Sequence, residues 1–233
     1  MGERAAEDRK VEGSNPSRGI FMMKRNILEK LSFADSFTIL NGVFGLIAIF
    51  LIIAKNFGMA FIFILLAVLA DGMDGIMARR YGGYLGQYMD EFADIVSFLV
   101  APCVFAFVYY GYAYLIFPSA FFLIFGILHL INYHLNPKDY FLGLTTPASA
   151  IVIGCAILLS APVLLSFLLF IILSLLMVFP IPYPRIEKHF AIIACIVIFL
   201  AMSLIKEFIF LLLIFTFFYI IFGPFYLMKK LSL

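Results

Sequence analysis

The sequence predicts an all-α, polytopic membrane helix bundle of about eight transmembrane helices, preceded by an amphipathic helix lying in the interface. Three observations predict it. Of 233 residues, 65% are apolar and 13% charged, with a mean hydropathy of +1.12. Soluble domains hold about 45–50% apolar and about 25% charged residues, so a water-soluble globule, a disordered chain and a disulfide scaffold are excluded. The apolar residues fall in runs near the ~20 residues that span a bilayer. The runs are punctuated by Gly, Pro and charge. Cys103, Cys155 and Cys195 each sit inside an apolar run, without zinc or redox spacing. A net charge of +2 is too small to indicate a nucleic-acid partner.

Residues 1–22 read as a disordered tail, since the first twenty hold eight of the thirty charges. The string EGSNPS resembles a conceptual translation of a transfer-RNA T-arm, which places the expected start at Met22 or Met23. Residues 24–35, KRNILEKLSFAD, mix basic and apolar side chains and suit a short interfacial helix. Spanning helices are expected near 36–54, 58–79, 84–111, 114–135, 145–160, 163–179, 189–204 and 207–228. The fifth and sixth, separated only by Ala161 and Pro162, also read as one broken hairpin. With the amino terminus inside, ten basic residues beyond the tail fall on the cytoplasmic side, and only Lys55 and Lys206 fall opposite. Both termini are therefore expected in the cytoplasm. No inverted repeat of the transporter kind is visible. Residues 23–233 are expected to form one membrane domain, with helices 1 to 6 (about 36–179) catalytic and helices 7 and 8 (about 189–228) peripheral.

Five of the fourteen acidic residues lie between positions 71 and 94. Each uncompensated charge at a helix centre costs about 2.5–3.5 kcal/mol on insertion scales, so this cluster calls for a partner. Asp71 and Asp74 are three apart and Asp90 and Asp94 four apart, so each pair shares a helix face. A turn near Gly82 and Gly83 brings the pairs to matched depth across an antiparallel hairpin, and four carboxylates are expected to converge. Asp71 precedes Arg79 by eight residues, about 12 Å of helix, which puts the site near the cytoplasmic rim. Hard oxygen donors without His or Cys favour magnesium, manganese or calcium, and two ions clamping a phosphoryl group is the natural chemistry. Gly75 and Ala78 leave a groove for a nucleotide beside these carboxylates, and Arg79 offers a forked donor to phosphate. Intramembrane carboxylates also mark ion pathways, so a cation or proton-coupled transporter is an alternative.

The stretch resembles the signature of the CDP-alcohol phosphotransferase family, D-x-x-D-G-x-x-A-R, a spacer, then G-x-x-x-D-x-x-x-D. It is carried here by Asp71, Asp74, Gly75, Ala78, Arg79, Gly86, Asp90 and Asp94. The spacer between Arg79 and Gly86 is six residues, where the family usually has eight. FADSFTILNGVFGLIAI, ADIVSFLVAP, FLGLTTPASA and LLMVFPIPYPRIEK are similar to segments of the phosphatidylserine or archaetidylserine synthase branch, with Asp35, Thr38 and Asn41 at its first-helix polar positions. Where that branch often reads R-L-A-R-F-N, this chain reads His129, Leu130, Ile131, Asn132, Tyr133, His134.

The resemblance implies metal-dependent transfer of a phosphatidyl group from a CDP-linked lipid to a small hydroxyl acceptor, L-serine in this branch, with release of CMP. Glycerol 3-phosphate and inositol phosphate are the alternative acceptors. It implies that Asp71, Asp74, Asp90 and Asp94 hold two divalent ions (Mg2+ or Mn2+) and that Asp94 is the general base. Thr38, Asn41, Asp71, Gly75, Ala78, Arg79 and Gly86 would contact nucleotide or phosphate, and Asn132, Tyr133, Lys138 or Arg185 the acceptor. Membrane lipids and a second copy of the chain are the remaining expected partners. Read from its residues alone, Asp35 is equally a cap on the first helix. His129 and His134, five apart, suit interfacial hydrogen bonds rather than a metal pair.

Overall fold

The computed structural model describes residues 31–81, 86–135, 140–184 and 188–231. The tail at 1–22 and most of the expected interfacial helix at 24–35 lie outside them, as do Lys138 and Arg185. The elements are α1 (Phe33–Ile53), α2 (Phe57–Tyr81), α3 (Gly86–Asp94), a π-helical turn (Ile95–Val100), α4 (Ala101–Tyr110), α5 (Ile116–Leu135), β1 (Tyr140–Leu142), α6 (Thr146–Leu158), α7 (Val163–Val178), β2 (Pro182–Pro184), α8 (Lys188–Ala201) and α9 (Lys206–Leu231). All eight expected apolar segments are helical. Among the described residues, five stretches are long and apolar enough to cross a membrane: Phe33–Ile53, Phe57–Met77, Met89–Tyr110, Ala113–Tyr133 and Lys206–Lys229. Thr146–Leu158, Val163–Val178 and Phe190–Ala201 are shorter apolar helices. Phe50, Phe117, Phe199, Phe218 and Phe225 point outward and are more than half exposed, an apolar exterior that only lipid can solvate. The protein is an all-α polytopic membrane bundle.

α1 starts earlier than the apolar run suggested. Ser32 is its N-cap, with Ser32 Oγ accepting from the Asp35 N–H at 3.2 Å and Asp35 Oδ2 accepting from the Ser32 N–H at 2.7 Å. Asp35 is thus the third helical residue and closes a capping box, instead of being the cap itself. α1 packs along α2 and across α3 and the π-helical turn. Gly45 makes that approach possible, because a Cβ there would run into Ser97, 2.7 Å from its Cα.

The third spanning segment is not one regular helix. At Ile95–Val100 it widens into π turns, with the Ala101 N–H donating to Val96 O five residues back. Pro102 follows at the start of α4; it has no N–H, so one rung of the ladder is open there in any case. The wide turn begins directly after Asp94, the position where such distortions often serve a site.

The segment at 145–179 resolves into two helices. α6 is buried along nearly its whole length, which explains why its sequence is apolar on every side. α7 packs on α5, with Phe122 and Phe170 edge to face at 5.2 Å. β1 and β2 pair antiparallel, Phe141 opposite Tyr183. This pairing joins the chain after α5 to the chain after α7. The Gly143 N–H donates to Ile181 O at 2.8 Å and the Leu144 N–H to Leu176 O at 2.9 Å. Gly143 has φ +93°, and a Cβ there would collide with Met177 O, so both conformation and space demand glycine. His129 completes the seam, its Nδ1 lying 2.8 Å from Met177 O. The hydrogen bond expected of His129 is therefore made inside the bundle, to a carbonyl at the end of α7 that its own helix leaves open. α9 packs against α6 and β2, where the Tyr219 hydroxyl donates to Pro184 O at 3.3 Å, and α8 packs against α9.

Candidate active site

Three helices deliver polar side chains to one end of the bundle. On α1, Asp35, Thr38 and Asn41 recur every three residues, so they share one face, and each is buried. On α2 the same end carries Asp71 and Asp74, and on α3 it carries Asp90 and Asp94. A buried polar face inside an apolar bundle is stable only if its groups satisfy one another. The Thr38 hydroxyl donates to Asp74 Oδ2 at 2.9 Å. Asn41 Nδ2 donates to Asp94 Oδ1 at 2.9 Å, and the Ser97 hydroxyl donates to Asn41 O at 2.8 Å. Because an ionised Asp94 only accepts, this bond sets which way the Asn41 amide faces.

Carboxylate oxygens of Asp71, Asp90 and Asp94 lie within 4.8 Å of one another. Asp74 stands beside this group, next to Asp90 and tied to Thr38. Among the described residues, Asp90 Oδ1 is buried with no hydrogen-bond partner. An orphaned carboxylate oxygen amid other carboxylates is costly unless a cation sits against it. Oxygen-only donors suit a hard divalent ion, so the residues present fit magnesium or manganese.

Thr38 and Asn41, expected to touch phosphate, hold the carboxylates of Asp74 and Asp94, anions being strong acceptors at hydrogen-bonding distance. Gly75 follows Asp74 on α2, and Gly86 is the first residue of α3. Ala78 and Arg79 lie in the last turns of α2; their side chains are outside the described residues. Asn132 and Tyr133 lie in the last turn of α5 and are exposed, Tyr133 with its ring 5.3 Å from that of Phe141.

Two residues that sequence reasoning did not place in the site belong to it. Ser97 steadies Asn41 through its backbone carbonyl, and Thr146, buried at the start of α6, directs its hydroxyl at Asp94 Oδ2, 3.4 Å away. The only signal for Thr146 was its place in the segment FLGLTTPASA.

A profile of the family described as CDP-alcohol phosphatidyltransferase matches residues 31–218. The chain is 29% identical over 196 residues to the CDP-diacylglycerol–serine O-phosphatidyltransferase of Helicobacter pylori, an overlap of 75% of this chain and 82% of that protein. It is 30% identical over 180 residues to the protein of the same name from Methanocaldococcus jannaschii, covering 74% and 86%. With the archaetidylserine synthase of Methanothermobacter thermautotrophicus it shares 31% identity over 180 residues, covering 71% and 75%. Since the matched region takes in every helix that contributes to the carboxylate site, the chain belongs to the CDP-alcohol phosphatidyltransferase family of membrane enzymes.

Proposed function

We propose that the protein transfers the phosphatidyl group of a CDP-linked lipid, diacylglycerol- or archaeol-based, to the hydroxyl of L-serine and releases CMP. The observation that carries this reading is the convergence of Asp71, Asp90 and Asp94 within 4.8 Å beside an orphaned carboxylate oxygen. Serine as acceptor rests on the names of the relatives.

Asp71, Asp74, Asp90 and Asp94 would hold the metal, two Mg2+ or Mn2+ ions. When bound, such ions neutralise the pyrophosphate and the charge that develops on the departing CMP. Thr38, Asn41, Gly75, Ala78 and Gly86 would contact the nucleotide or its phosphates, with Arg79 as phosphate donor. Asp94 takes the proton of the serine hydroxyl as that oxygen bonds to the lipid-side phosphorus. The bond from this phosphorus to the CMP oxygen breaks. A base works only if its geometry is held, and the bond from Asn41 at 2.9 Å supports Asp94 in that role. Asn132, Tyr133, Lys138 and Arg185 are the candidates for the serine carboxylate. The charge asymmetry supports a cytoplasmic position for this end of the bundle and for both termini. The unit that acts is residues 23–233, with about 36–179 (α1 to α7) as its catalytic part.

The test is CMP release from CDP-diacylglycerol by purified protein with Mg2+ or Mn2+, offered L-serine, glycerol 3-phosphate or inositol phosphate. Serine is expected to give the fastest release. If either other acceptor is at least tenfold faster, serine is the wrong acceptor; if none releases CMP, the transfer reading fails.

A further inference from the structure

Asp94 receives side-chain donors from two other helices, one at each carboxylate oxygen. Asn41 on α1 donates to Oδ1 at 2.9 Å, and Thr146 on α6 to Oδ2 from 3.4 Å. A carboxylate held at one oxygen still turns about its Cβ–Cγ bond, whereas donors at both oxygens define its plane. We propose that Thr146 is a positioning residue for phosphatidyl transfer: it fixes the orientation of the Asp94 carboxylate and so aims the remaining lone pairs at the acceptor hydroxyl. The inference rests on the role of Asp94 given above.

Thr146 is itself placed from a distance. It is the first residue of α6, and the chain just before it is pinned to the far end of α7. Gly143 donates to Ile181 O, Leu144 to Leu176 O, and β1 pairs with β2. Neither α7 nor β2 supplies a carboxylate. Their effect on the reaction passes through the position of α6 and the Thr146 hydroxyl. Orientation matters more to the transition state than to the ground state, because the proton moves only when base, hydroxyl and phosphorus are aligned. Loss of the hydroxyl is therefore expected in kcat and not in substrate affinity.

The experiment compares full-length wild type, Thr146→Val and Thr146→Ser in CMP release from CDP-diacylglycerol with the best acceptor, together with the thermal unfolding midpoint of each solubilised protein. Valine keeps the branched shape and removes the donor; serine keeps the donor. The expected result is a kcat about tenfold lower for Thr146→Val, the size of one hydrogen bond to a charged group, with KM for the CDP-lipid and the acceptor within about twofold. Thr146→Ser should recover kcat to within about threefold of wild type. The inference is overturned if Thr146→Val keeps wild-type kcat, if Thr146→Ser is as slow as the valine variant, or if the loss lies in KM. It is also overturned if kcat falls only in step with a lowered unfolding midpoint, since that marks a packing role. Wild type that releases no CMP with any acceptor refutes the transfer reading itself, which separates the two failures.

Discussion

Gly45 touches no carboxylate, yet it controls how closely α1 approaches the π-helical turn after Asp94. A methyl added there would meet Ser97 at its side chain and at its Cα, the latter 2.7 Å away. Ordinary carbon–carbon separations begin near 3.5–4.0 Å, so Gly45→Ala must push α1 off the turn by roughly 1 Å. Asn41 sits one helical turn away on the same helix. A shift of that size takes its 2.9 Å bond to Asp94 beyond hydrogen-bonding distance. The overpacking costs about 1–3 kcal/mol of stability. Losing a hydrogen bond to a charged group is worth about 1.5–3 kcal/mol, or roughly 10- to 150-fold in kcat if Asp94 must be held in the transition state. Gly42→Ala is the internal control, because its Cβ would lie 3.5 Å from that of Ala93, an ordinary van der Waals separation. The assay is initial-rate CMP release at saturating substrates, with thermal unfolding of the solubilised protein alongside. Ser97→Gly in the Gly45→Ala background should not restore the rate, since the new methyl still collides with the backbone at position 97. A Gly45→Ala protein with kcat within twofold of wild type would refute the reasoning.

Two other outcomes follow from the carboxylate geometry. Asp94→Asn should abolish turnover while CDP-lipid binding, measured by calorimetry or filter retention, stays within a fewfold of wild type, because three carboxylates still remain to hold metal. Turnover within tenfold of wild type contradicts the base assignment. Asp71→Ala, or Asp74→Ala, should weaken divalent-ion and nucleotide binding together, whereas a variant that binds CDP-lipid normally in the presence of chelator would show that the nucleotide does not depend on those ions.

Composition and hydropathy alone determined that this chain lives in a membrane and where its helices run, because those properties are sums over local sequence. The pairing of Asp71 with Asp74 and of Asp90 with Asp94 was equally local, set by helical spacing. On α2 and α3, consecutive in the chain, Asp71, Asp90 and Asp94 come together. Carboxylates by themselves left a transporter open; membership of a transferase family closes that alternative.

Other features depended on partners distant in sequence. Asp35 read equally as a cap or as a polar site residue, and only the folded chain shows that Ser32 starts the helix and Asp35 closes the capping box. That Thr38 and Asn41 hold Asp74 and Asp94 was not legible, because it depends on α2 and α3 coming close to α1. Nothing in residues 95–100 announces a π-helical turn, in which Ser97 donates to Asn41 O on α1. Thr146 reached Asp94 only because Gly143, His129 and the β1–β2 pairing fix where α6 begins. Helical periodicity assigns a side chain to a face of its own helix. Which face meets which, and at what depth, is decided by where small residues let helices approach and by buried polar groups that must find partners across the bundle.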